Sequence, residues 1–187
     1  MYFPVSFRMS PPDGAGTRGR VLDFEGFPGR WEILETAEET GGERFKTRMD
    51  LEERSALPPH VHPNAEERYE VVSGELDVQV DGEWSTVAAG EQRTVPPGTE
   101  HAFRNRTAAE VINVHSPAMR FEEFFRRFHR LKTERGVAMP PAGLESRILL
   151  AMLLVEYEEG QIAVSPPHWA FKLLARVGNA VGYRLPE

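Results

Sequence analysis

Three prolines bracket two histidines in Pro58-Pro59-His60-Val61-His62-Pro63, and together they leave the backbone little choice. Proline in a helix interior removes a hydrogen bond and clashes with the preceding turn, so this segment is extended. In an extended chain residues i and i+2 face the same way, which sets the imidazoles of His60 and His62 side by side. Glu67 follows, and a β-rich run then ends at Gly74. Paired imidazoles with a carboxylate suit Fe, Mn, Ni, Zn or Cu. A histidine taken singly is more often a surface or core residue with one hydrogen bond, so the pair needs further support to count as a site.

A second stretch, Gly90 to Asn105, supplies it. Pro97-Gly98 suits a type II turn, with proline at the first central position and glycine at the positive-φ second. His101, Phe103 and Asn105 then share one face of the strand leaving that turn. With both stretches in view, the chain resembles a cupin. The first cupin motif, G-x5-H-x-H-x4-E-x6-G, is met by His60, His62, Glu67 and Gly74. The second, G-x5-P-x-G-x2-H-x3-N, is met by Gly90, Pro96, Gly98, His101 and Asn105. Arg54 stands where the first motif begins with glycine; that glycine shapes a turn and is not a ligand.

The resemblance implies a mainly β fold, an antiparallel jelly-roll barrel (a double-stranded β-helix) closing around a pocket. It implies that His60, His62, Glu67 and His101 converge there on one divalent transition metal ion, Fe, Mn, Ni, Zn or Cu. Three neutral imidazoles and one carboxylate leave such an ion positively charged, with a position free for an exchangeable ligand. Glu67, Tyr69 and Val71 share a strand face, so Tyr69 is the candidate catalytic group, as proton donor or orienting phenol. Asn105 is expected to stabilise the strand end.

Composition narrows the partners. A net charge of −7 and a pI near 5.5 argue against nucleic acid, which needs a clustered basic face. The absence of cysteine removes disulfides, thiolate ligands and cysteine nucleophiles together. The longest apolar run, Ile148 to Val155, falls far short of the ~20 residues that span a bilayer. Met1-Tyr2-Phe3-Pro4 lacks the charged and apolar regions of a secretory signal, so a cytoplasmic location is expected.

Taken in order, residues 1–18 read as a Pro/Gly-rich arm, 19–117 as the barrel domain, and 118–187 as a helical C-terminal extension packed on the barrel or on a partner subunit. Phe45, Thr47, Met49 and Leu51 alternate with polar residues in a half-buried strand, and Asp81-Gly82 marks a hairpin. The last barrel strand, Glu110 to Ser116, offers either Asn113 and His115 or Ile112 and Val114 to the pocket, and its parity stays open. Phe121, Phe124, Phe125, Phe128 and Leu131 form a helical stripe ending at Gly136. Further helices are expected from about Leu144 to Glu159, and after Pro166-Pro167. A helical lid or a membrane-surface patch is the sharper alternative for this tail.

The leading functional expectation is a metal-dependent dioxygenase-type enzyme acting on a small organic molecule. The alternatives are a non-catalytic small-molecule-binding cupin and a metal-dependent isomerase. An unpaired barrel edge and the apolar tail point to a homodimer.

Overall fold

A strand whose apolar residues alternate can bury only one face. The computed structural model describes residues 19–24, 28–137 and 140–186, and it places Phe45, Thr47, Met49 and Leu51 on the buried face of one such strand. The arm expected over residues 1–18 lies outside the described residues. The strands are β1 (Val21–Asp23), β2 (Arg30–Glu35), β3 (Phe45–Leu51), β4 (Ala56–Val61), β5 (Glu66–Ser73) and β6 (Glu75–Val80). β7 (Glu83–Ala88), β8 (Gln92–Val95), β9 (Glu100–Arg104) and β10 (Ala109–Ser116) follow. The chain continues through α1 (Phe121–Arg135), α2 (Gly143–Glu156), the short β11 (Ile162–Ala163) and α3 (His168–Ala180).

Two antiparallel sheets make the barrel, ordered β1-β2-β3-β10-β5-β8 and β11-β4-β9-β6-β7. Strands distant in sequence sit together, as β10 does between β3 and β5, which is the jelly-roll arrangement. Glycine holds two corners. Gly74 has φ +78°, and a Cβ there would come within 2.5 Å of the Ala108 carbonyl oxygen, so the corner has no room for a side chain. Gly98 has φ +75°, as the second central residue of a type II turn requires. Register then sets the geometry inside: His60 faces His101 across β4 and β9, while Glu67 faces His115 and Tyr69 faces Asn113 across β5 and β10.

All five stripe residues of α1 are buried, and its C-cap Gly136 adopts the left-handed conformation with its N–H on helix carbonyls. The stripe packs on the barrel through aromatic contacts, with Phe125 4.6 Å from Trp31 and 5.8 Å from Phe45 between ring centroids. α2 is apolar nearly all round, as a helix covered on several sides must be. It ends at Glu156 rather than near Glu159, because a tight turn at Tyr157–Gly160 redirects the chain into β11. α3 buries Phe171 and Ala175, whereas Trp169, Leu173 and Val177 stay exposed. Barrel and helices share one continuous apolar core. Among the described residues no helix is long and apolar enough to cross a membrane.

Candidate metal centre

The prolines before His60 do more than prevent a helix. Neither can donate to the sheet, and the β4–β9 register shifts between Leu57 and His60. That irregularity leaves the Pro58 carbonyl free to accept a hydrogen bond from His60 Nδ1 at 3.0 Å. The other two histidines are held in the same way. His62 Nδ1 donates to the Gly160 carbonyl at 2.7 Å, and His101 Nδ1 donates to the Thr99 carbonyl at 2.8 Å. With Nδ1 tied to backbone in all three rings, each Nε2 turns toward one point.

Glu67 Oε2 occupies that point. It lies 2.6 Å from His101 Nε2, 3.3 Å from His62 Nε2 and 3.9 Å from His60 Nε2. One ligand atom from each of His60, His62, Glu67 and His101 lies within 4.8 Å of the other three, and all four residues are buried. His62 Nε2 is buried with no hydrogen-bond partner. An orphaned imidazole nitrogen among two more imidazoles and a carboxylate fits a divalent ion, and the backbone bonds at Nδ1 are the supports that metal-binding histidines use.

The carboxylate is braced from behind. Tyr69, fully buried, donates its hydroxyl to Glu67 Oε2 at 2.8 Å, and Asn113 donates its amide to Oε1 at 2.8 Å. His115 Nε2 lies 3.3 Å from Oε1, and its ring packs at a tilt against Phe121 of α1, 4.0 Å between centroids. Burial by itself would push the Glu67 carboxyl up, but electrostatic interaction with the His62 and His115 rings and the hydrogen bond from His101 outweigh it and hold it well below its usual range. Burial pushes His60 well down and His115 down, so both rings favour the neutral form, the one in which His60 can ligate. Burial would lower His101 too, but its bond to Glu67 wins and raises it. Burial and the neighbouring carboxylate push the Tyr69 phenol well up, so it stays a donor.

Three of the four candidate ligands, His60, His62 and Glu67, line the floor of a cavity of about 680 Å³ together with Asn113 and His115, while His101 and Tyr69 lie behind that lining. The parity of β10, open in the sequence, is settled in favour of Asn113 and His115 facing inward. Its other face is buried as well, with Ile112 at 8 % and Val114 at 3 % exposure, so no apolar alternation marks the pocket side. Asn105 lies apart from the cluster, its amide bridging the Glu52 and Thr107 carbonyls at 2.8 Å each, as expected of a strand-end brace. Gly160 and Phe121 were not foreseen: the bond from His62 to Gly160 spans 98 residues, and nothing local signals it.

Comparison with known proteins places this geometry. The family described as "Cupin domain" matches residues 47–115, a stretch that contains all four candidate ligands. Quercetin 2,3-dioxygenase of Bacillus subtilis is 37% identical over 49 residues, which are 26% of this chain and 14% of that enzyme. The match therefore spans a small part of the relative's length. A cupin from Shewanella frigidimarina described as RmlC-like aligns with 25% identity, 50% of this chain, 79% of that one and a TM-score of 0.45. KdgF from Halomonas sp. aligns with 19% identity, 50% of this chain, 82% of that one and a TM-score of 0.45. With both motifs in place, the family match over residues 47–115 and the jelly-roll topology around the histidine cluster, the chain carries a cupin domain with C-terminal helices attached.

Proposed function

We propose that the protein is a metal-dependent oxidoreductase of the dioxygenase type acting on a small organic molecule, with His60, His62, Glu67 and His101 as ligands to one divalent transition metal ion. The observation that carries this reading is the convergence of three backbone-braced Nε2 atoms, one of them orphaned, on Glu67 at the floor of a cavity. The short similarity to quercetin 2,3-dioxygenase supports the class of chemistry. His60, His62, Glu67 and His101 would hold the ion, which would supply a Lewis acid and, if redox-active, a one-electron couple beside the cavity. The protein's own part is positional. Tyr69, Asn113 and His115 fix both carboxylate oxygens of Glu67. Tyr69 acts as the orienting phenol, a positioning residue beneath the carboxylate.

A second reading is a non-catalytic binding cupin or a metal-dependent isomerase, since the same buried histidine and carboxylate cluster beside a cavity could serve either. We further read the protein as a cytoplasmic homodimer that binds a small molecule and not nucleic acid, in keeping with its net charge of −7.

Elemental analysis of the purified protein beside His62→Ala tests the proposal. Near-stoichiometric Fe, Mn, Ni or Cu in the wild type, lost in a variant that stays folded, is the expected result, followed by substrate-dependent oxygen consumption. Zn alone would move the case to the second reading. No metal even after reconstitution would end the enzyme reading.

A further inference from the structure

The cavity above the cluster is lined by two kinds of surface. Its floor is polar, but its walls are built from Trp31, Met49 and Phe103 of the barrel and from Phe124, Phe128 and Leu154 of the helices. Leu150 and Phe171 extend the helical side. Among the described lining residues the only cation outside the histidines is Arg54, which sits exposed at the rim beside the exposed Glu52 and Glu53. The remaining wall polar groups, apart from backbone, are Ser55, Ser165 and Gln161. Ser55 already donates to the Glu52 carbonyl, and Ser165 is exposed.

A phosphate, a second carboxylate or a polyol held in this chamber would lose its water and find few partners in exchange. An apolar ring system meets a surface that matches it, and a volume of about 680 Å³ is far more than a two-carbon or three-carbon acid fills. Resting on the reading of the floor as a metal site, we propose that the chamber selects a ring-bearing, otherwise apolar molecule with a single chelating oxygen head. The head goes to the histidine cluster and the rings lie under α1, α2 and α3. Specificity then resides in the helices appended to the barrel as much as in the barrel itself.

Calorimetric titration of the full-length, metal-loaded protein with three probes tests this. Salicylate and 3-hydroxy-2-naphthoate carry the same head and differ by one fused ring, while oxalate is a chelator without a ring. The naphthoate is expected to bind about tenfold more tightly than salicylate, the gain from burying one more ring, and more tightly than oxalate. Leu150→Glu, which puts a carboxylate in the wall, and Leu150→Trp, which fills the chamber, should each remove that gain, with thermal melting used to verify folding. Oxalate binding as tightly as the naphthoate, equal binding of salicylate and naphthoate, no binding of any probe, or a gain that survives in both folded variants would overturn the proposal. Elemental analysis keeps the two readings apart. A ring-size preference in protein that holds no metal upholds the chamber and removes the metal site, whereas bound metal without a ring-size preference does the reverse.

Discussion

Glu67 carries most of the electrostatic tension in the molecule. A carboxylate at 4 % exposure is costly unless its oxygens are satisfied, and here Tyr69, Asn113, His101 and His115 share them. Tyr69→Phe removes one donor and leaves the ring. We expect the barrel to remain folded, with a stability loss of about 1 kcal/mol. Metal affinity should fall roughly tenfold to a hundredfold, because the support of a ligand is lost and not the ligand. Competition against a chelator of known affinity measures this, and unchanged affinity would show that the phenol does not position the carboxylate. The four candidate ligand positions could be named from the sequence because strand periodicity and motif spacing are local properties. His115 was not assignable, since it lies on a strand buried on both faces and its side was fixed only by pairing with Glu67.

Among the elements, the turn before β4 departs from the family motif. Arg54 occupies the position of the motif's first glycine and is held at φ +62°, a left-handed conformation that L-residues adopt at a cost. Its side chain is exposed. Arg54→Gly should therefore stabilise the protein by about 0.5 to 1 kcal/mol, part of the relief being offset by the freer unfolded chain. That corresponds to a melting temperature about 2 °C higher, whereas Arg54→Ala should give no such gain. A melting temperature lowered by the glycine would show that the arginine side chain holds the turn. Helix α1 was readable from its phenylalanine stripe, which needs only the 3.6-residue period. The end of α2 was not, because Gly160 is recruited by His62 and the following residues pair with β4, and both are demands of distant parts of the chain.

At the scale of the molecule, the helices form one wall of the cavity and share the barrel's apolar core, yet α3 leaves Trp169 at 68 % and Leu173 at 54 % exposure, with Val177 on the same face. Such a stripe fits a self-association face. Light scattering at micromolar concentration should give twice the mass of a chain, and Leu173→Glu should shift it to one, while a monomeric wild type would retire the dimer. What the sequence by itself determined was whatever depends on neighbours in the chain: the extended histidine segment between prolines, the turns, the strand and helix periods, and the candidate ligand set offered by two spaced motifs. Only the tertiary structure decided which face of β10 meets the cavity, that the Gly160 carbonyl orients His62, and that three helices close over the histidine cluster. The physical reason is that each of these rests on partners far apart along the chain, up to 98 residues for His62 and Gly160, whose meeting is fixed by register and packing and by no local pattern.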